Sequence, residues 1–473
     1  MSGSAGTVAA IDLGATSGRV IVGRVGPDTL DARQVARFAN TPVRAGDGLH
    51  WDVLALYSAA LDGLREAVRT APDIASVGVD SWAVDYALLR DGRLLGAPFH
   101  YRDERGERGV SAVHERMPHA ELFARNGLQF LPFTTMYQFA AEDPAVLEVA
   151  DTALLIPDLI GFWLTGRAVA ERTNASTTGL LHGDAWDDGL IDALGLPGGI
   201  LPPLVSPGER IGMLRPGVAA SLGARPDLPV TAVGSHDTAS AVVAVPMDAE
   251  HAAYISCGTW GLVGVEVPRP VLSEAALAAN FTNEGGVDGR VRLLHNVMGL
   301  WVLTETVRGW DRTGTAIDLS TLLAEAAVVD PATVPVFDIE DARFLPPGDM
   351  PARIDAWCAE HALRPPRTRP EYARAIVESL AQAFTETVDV AARVSGVDVR
   401  TIHIVGGGAL NELLCQRVAD RSGLAVLAGP VEATALGNLL VQARAAGFVT
   451  GSLEALRDLV ARTHAPRRYM PRG

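Results

Sequence analysis

The sequence predicts an α/β protein in two halves, and three observations carry that prediction. A strand–turn–strand unit with a Gly- and Thr-rich tip occurs at residues 7–23, and the pattern returns at 252–265. Helical periodicity alternates with short apolar runs of β-branched residues. A late apolar strand, Thr401–Val405, runs into Gly406-Gly407-Gly408 ahead of another helix. Strands alternating with helices make an α/β domain the expected architecture.

Thr7–Ile11 and Arg19–Gly23 are the first two strands, joined by Asp12-Leu13-Gly14-Ala15-Thr16-Ser17-Gly18, whose small residues mark an exposed turn. A helix is expected over about 52–70, with Asp52 as N-cap and Leu54, Leu61, Leu64 and Val68 on its apolar face. Val77-Gly78-Val79-Asp80 reads as a further strand. In the second half Ala252–Ser256 and Leu262–Val265 flank Cys257-Gly258-Thr259-Trp260-Gly261. A helix near Asn411, a strand at 424–427 and a last helix after Pro430 complete the pattern. The Pro-rich stretches 338–351 and 364–370 read as irregular covering structure around a short helix. Pro246-Met247-Asp248 ends the apolar run Ala239–Val245, so the expected domains are 1–246 and 247–473. The two halves agree in pattern but not in residue identity, which leaves a duplication open.

Composition narrows the chemistry. The 473 residues include 40 basic side chains and no lysine, so every one is an arginine. That excludes a Walker P-loop, a protein-kinase strand lysine and Schiff-base chemistry. A GC-rich coding bias explains the gap more simply than function does. A net charge of −16 argues against nucleic acid or an anionic membrane as partner. Cys257, Cys358 and Cys415 are far apart, in no metal-binding spacing, and are expected to be free buried thiols in a reducing cytoplasm. The first residues lack the features of a signal peptide, and no apolar run is long enough for a membrane span.

The tip at 12–19 combines a carboxylate, hydroxyls, glycines and an arginine. Such a tip can bring backbone N–H groups and hydroxyls to a phosphate, and Asp12 to a metal, although a plain hairpin turn has the same composition. Gly258-Thr259-Trp260-Gly261 is a second such tip, and Gly406-Gly407-Gly408 offers another close backbone approach. Gly234-Ser235-His236-Asp237-Thr238 lies between apolar runs where a strand should pass into a helix. There Asp237 is either a general base, ionised at neutral pH, or part of a simple helix cap formed by Ser235, Asp237 or Thr238. Adjacent Ser, His and Asp cannot converge as a hydrolase triad, and His114-Glu115 with His119 has the wrong spacing for zinc. Trp82, between Asp80 and Asp85, is either a sugar-facing aromatic or a core residue of an edge strand. Asn280, Asn283 and Asn296 carry amides that read hydroxyls or form turns.

Taken together, these stretches resemble the FGGY carbohydrate kinases, most like the members that act on L-rhamnulose. The matching segments are 8–19, 76–88, 126–133, 235–241, 256–260, 280–286, 296–301, 403–408 and 429–433, spread over nearly the whole chain. The resemblance implies two actin-like (ribonuclease H-like) domains with the active site in the interdomain cleft. It implies ATP-dependent phosphorylation of L-rhamnulose at O1, with Mg²⁺, by a cytoplasmic monomer or homodimer. Asp237 would be the catalytic base; His236, Thr238, Asn296 and Ala83 would contact the sugar. Ala15, Thr16, Ser17, Gly18, Arg19, Thr259, Thr304 and Gly407 would hold the nucleotide, and Asp12 the metal. Two positions depart from the pattern: Ala83 stands where glycine is usual, and Thr304 where glutamine is usual. Another ketose or polyol, such as L-fuculose, xylulose or glycerol, is the alternative substrate. A sugar-sensing ATPase on the same fold is the alternative from another class.

Overall fold

The computed structural model describes residues 4–312, 314 and 317–472. The chain divides into two compact units. The first comprises residues up to Pro246, joined by 267–293 and 433–463; the second comprises 247–266, 294–432 and 464–473. The first break falls between Pro246 and Met247.

The first unit is built on a six-stranded sheet, in the order Arg210–Met213, Pro229–Thr231, Ile74–Ser81, Gly6–Leu13, Ser17–Gly26 and Thr29–Ala39. Gly6–Leu13 is central and buried along nearly its whole length, which is why it reads as a continuous apolar run. It pairs antiparallel with Ser17–Gly26 and parallel with Ile74–Ser81. That register sets Asp12 opposite Arg19 on one side and Asp80 on the other. The strand Pro229–Thr231 runs parallel to Ile74–Ser81, and beyond it Ser81 N donates to Ser235 O at 2.9 Å. Three parallel chain segments therefore end side by side, at Asp12, Asp80 and Asp237.

The helix Val53–Thr70 forms with Asp52 as N-cap, accepting from Ala55 N at 3.0 Å. Of the expected apolar face Leu64 is buried and Leu61 and Val68 pack against the core, but Leu54 is exposed, and the face centres on Val53, Leu56, Ala60, Gly63 and Ala67. The small residues decide the rotation. A Cβ on Gly63 would lie 2.5 Å from Val20, so this edge approaches the sheet more closely than a leucine-rich edge could.

The helix Ala433–Ala445 was expected to end the chain's regular structure, yet Leu453–Thr463 and the strand Arg467–Tyr469 follow it. It also packs in the first unit. A Cβ on Gly437 would meet Ser240 O at 1.8 Å, so its backbone lies directly on the helix Asp237–Val243. Gln442 Nε2 donates to Ala9 O at 2.9 Å, and Asn438 Nδ2 to Asp80 Oδ2 at 2.5 Å.

The second unit repeats the plan. Ala252–Cys257 pairs antiparallel with Trp260–Val267 and parallel with Thr401–Val405, which pairs parallel with Ala425–Ala428. The Pro-rich stretches there are largely irregular around a short helix, as their composition suggests. Met350–Glu360 is helical, and Pro370 falls in the first turn of a helix of 27 residues, Arg369–Ser395. Proline at that position costs no hydrogen bond, because the first N–H groups of a helix have no partner. On this helix the buried Glu378 meets Arg374, Arg417 and Arg421 at 2.9, 2.7 and 2.8 Å. All three cysteines are free and buried, and burial pushes the Cys415 thiol up to about 12. Among the described residues no helix is long and apolar enough to cross a membrane.

Candidate active site

In the first unit the parallel strand ends gather carboxylates. Asp12 is nearly buried and accepts from Arg19 Nη2 at 2.7 Å, so the arginine nominated for phosphate is anchored on the aspartate nominated for metal. Asp80, fully buried, takes the Asn438 amide on Oδ2, while Oδ1 has no partner. Burial, and then the neighbouring Asp12 and Asp237 charges, push its carboxyl well above the usual range. A buried carboxylate oxygen without a donor, beside a second carboxylate, is chemistry suited to a hard cation. Among the described residues no cluster of three or more metal-binding side chains occurs. Two carboxylates still suffice for a cation that keeps waters or phosphate oxygens as its other ligands.

His236 occupies the N-cap position of the helix Asp237–Val243 and forms no side-chain cap bond, so the 235–238 cluster is not a simple cap. Asp237 Oδ1 accepts from the Thr238 hydroxyl at 3.1 Å and lies 3.4 Å from His236 Nε2. His236 Nδ1 is met by Arg292 at 3.1 Å and by Glu284 at 3.2 Å, which fixes the plane of the ring. Arg292 is completely buried and pairs with Glu284 at 3.1 Å. Burial would raise the Glu284 carboxyl, but Arg292 and His236 outweigh it and hold it below the usual range. The loop before His236 is anchored by Glu171, whose Oε2 accepts from Ser235 N and Ser235 Oγ at 2.9 and 2.8 Å. Asn174 Nδ2 reaches both Ser235 O (3.4 Å) and Trp82 O (3.5 Å), so the turn carrying Ala83 is tied to the loop carrying Asp237.

Ala15, Thr16 and Ser17 form the tip of the first hairpin, closed by Gly14 N donating to Ser17 O at 2.9 Å. Gly18 has a packing role: a Cβ there would lie 2.2 Å from the Phe38 ring. In the second unit, Gly258 N donates to Trp260 O at 2.8 Å, closing a comparable tip around Thr259. Leu300 N and Trp301 N donate to Gly258 O and Thr259 O, which brings the start of the helix Trp301–Arg312, with Thr304 exposed on its first turn, to that tip. Gly406 and Gly408 are packed against Cys257, with would-be Cβ distances of 3.0 and 2.4 Å. Gly407 between them is exposed, its nearest would-be contact at 4.0 Å. Thr259, Thr304 and Gly407 thus lie on one edge of the second unit. Asn296, half-buried, sits in the strand Val291–Met298.

Other expectations change. Trp82 is a core residue on an interior strand end, 4.1 Å from Trp51, and not a free aromatic face. Asn283 spends its amide on Gly127 O, Val271 O and Val271 N, and Asn280 Oδ1 accepts from Phe130 N. Asp80, Glu171, Glu284 and Arg292 join the site beyond the residues that the sequence points to. Asp80 and Glu284 lie inside motif segments and were legible there, whereas Glu171 and Arg292 carry no local signal. A cavity of about 720 Å³ in the first unit, between the segments 44–50, 95–108 and 141–146, contains none of the candidate site residues.

Two family models match: the N-terminal domain of the FGGY family of carbohydrate kinases at residues 7–244 and its C-terminal domain at 253–446. The chain belongs to the FGGY family of carbohydrate kinases. As an FGGY kinase it is an ATP-dependent phosphotransferase acting on a small carbohydrate, which sets aside the sensor-ATPase alternative. It is 42% identical to a rhamnulokinase of Pectobacterium atrosepticum, over 98% of this chain and 93% of that protein. It is 37% identical to a rhamnulokinase of Bacillus subtilis, over 98% and 95%. Among solved structures it resembles a ligand-bound xylulose kinase from Lactobacillus acidophilus (TM-score 0.79, 16% identity, 98% and 94% of the chains). A Plasmodium falciparum glycerol kinase with ADP is similarly close in fold (TM-score 0.77, 15% identity, 99% and 95%). The FGGY fold, with its two actin-like domains, is therefore this chain's fold.

Proposed function

We propose that this FGGY kinase phosphorylates L-rhamnulose at O1 with ATP, a step of L-rhamnose breakdown in the cytoplasm. The observation that carries the substrate is the 42% identity to a rhamnulokinase over 98% of the chain. Asp237 takes the proton of the primary hydroxyl as that oxygen attacks the γ-phosphorus. Thr238 and His236 orient the carboxylate by the contacts at its Oδ1. His236, Thr238, Ala83 and Asn296 contact the sugar. On this reading Ala15, Thr16, Ser17, Gly18, Arg19, Thr259, Thr304 and Gly407 serve the nucleotide. With no lysine in the chain, phosphate charge is met by backbone N–H groups, hydroxyls and Arg19. Asp12 and Asp80 are the residues that would hold Mg²⁺, which when bound neutralises phosphate charge.

A second reading keeps the chemistry and changes the sugar. The Ala83 methyl, where glycine is usual, narrows the pocket and favours a ketose or polyol of different shape, such as L-fuculose, xylulose or glycerol.

Coupled ADP release across these sugars tests both readings. L-Rhamnulose should give the highest kcat/KM, and Asp237→Asn should lower kcat by roughly 10²–10⁴. Preference for another ketose would transfer the assignment to the second reading. Near-normal turnover by Asp237→Asn would sink the base assignment.

A further inference from the structure

We propose that Asp85 is a positioning residue for the sugar pocket: its buried carboxylate holds in place the strained three-residue turn that presents Ala83. The inference rests on the assignment of Ala83 to the sugar. The turn is closed by Asp85 N donating to Ala83 O at 2.8 Å, with Val84 at its centre at φ 65°. A β-branched residue at positive φ is strained, and a γ-turn of this hand is rare for that reason. Something must hold it there.

The surroundings supply that hold. Asp85 has no exposure. Its Oδ2 accepts from Trp51 Nε1 at 2.6 Å, Trp82 Nε1 at 3.1 Å and Tyr101 N at 3.1 Å, and its Oδ1 accepts from Gln138 Nε2 at 2.8 Å. These donors come from separate parts of the first unit, so one carboxylate joins both indoles, the segment at 101 and the helix Thr135–Ala140 to the turn. Thr135 Oγ1 adds a bond to Val84 O at 2.7 Å. The indoles pack together in turn, Trp51 tilted against Trp82 at 4.1 Å and stacked on His100 at 4.0 Å.

Gln138 cannot reverse its amide to suit a different partner. Its nitrogen also donates to Phe133 O at 2.9 Å, while its oxygen accepts from Arg105, which is paired with Glu142 at 2.7 Å. Position 85 must therefore offer acceptors on both sides. An asparagine offers one oxygen, and its NH₂ group would face either Gln138 Nε2 or the indole N–H groups. Because Asn174 links Trp82 O to Ser235 O, a shifted turn also disturbs the approach to Asp237.

The test compares wild type, Asp85→Asn and the double variant Asp85→Asn with Val84→Gly. Asp85→Asn should raise the KM for the sugar about tenfold, the loss of one or two buried hydrogen bonds, with the KM for ATP within about twofold. Glycine adopts positive φ at little cost, so Val84→Gly in the Asp85→Asn background should recover part of that loss. An unchanged sugar KM, parallel changes in both KM values, or no recovery with glycine would each overturn the proposal. Indole N–H signals in ¹⁵N-resolved NMR read the anchoring without any sugar. Two exchange-protected indole protons should become exchangeable in Asp85→Asn, and their persistence would refute the role of the carboxylate. If wild type releases no ADP with L-rhamnulose, the substrate reading fails and this second readout still decides.

Discussion

Glu171 and Ser235 form a two-point contact: one carboxylate oxygen accepts both the amide and the hydroxyl of the serine, at 2.9 and 2.8 Å. Glu171 also accepts from Thr173 N and Thr173 Oγ1, at 2.9 and 2.5 Å, so its charge is held by donors while burial pushes its carboxyl up. The pair fixes the loop two residues ahead of Asp237.

Glu171→Ala should therefore lower kcat by about tenfold or more, because small displacements of a reacting group are costly. The Ser235 donors would lose their partner, at about 1–3 kcal/mol of stability. Glu171→Gln keeps one acceptor oxygen and should lose less on both counts. Steady-state kinetics and thermal unfolding of the two variants check the order.

Asp80→Asn removes one of three neighbouring carboxylates that repel one another. The unfolding temperature should rise, while the Mg²⁺ concentration for half-maximal activity increases about tenfold, as expected when one ligand of a cation site loses its charge. An Mg²⁺ titration paired with thermal melts reads both effects, and unchanged Mg²⁺ dependence would remove Asp80 from the metal site.

Burial raises the Asp85 carboxyl to about 6, against hydrogen bonds from Gln138, Trp51, Trp82 and Tyr101. The folded-state value lies above the unfolded one, so the native protein binds the proton more tightly. Stability from this group is present below about pH 4 and is lost as pH rises to 6, by up to roughly 3 kcal/mol. Asp85→Asn lacks this titration. The stability of wild type relative to the variant should fall between pH 4 and 6 and level off above, as denaturant melts at several pH values would show.

Gly407→Ala and Gly408→Ala separate ligand approach from packing. The Gly408 Cβ would lie 2.4 Å from Cys257, so that variant should lose about 1–3 kcal/mol of stability. The Gly407 Cβ would enter open space, so Gly407→Ala should keep its melting temperature and raise the KM for ATP severalfold. A wild-type KM for ATP in Gly407→Ala would remove that residue from the nucleotide site.

Local signals in the sequence determined the two hairpins, their Gly- and Thr-rich tips, the central buried strands and the segment carrying Asp237. Each depends on residues within a few positions of one another, where periodicity and turn chemistry act directly. On the helix Val53–Thr70 only Leu54 falls outside the inward face, because close packing favours Gly63 and Ala60 there, a choice made by the sheet beneath. The long helix Arg369–Ser395 was hidden by its flanking prolines. Only the tertiary structure decided what surrounds the carboxylates. Asn438 reaches Asp80 across 358 positions of sequence, and Glu171 reaches Ser235 across 64. A buried carboxylate needs donors, and a lone Glu or Asn bears no local mark of the partner it will meet. Parallel strand ends bring such groups together, and their register is set by the packing of the whole sheet.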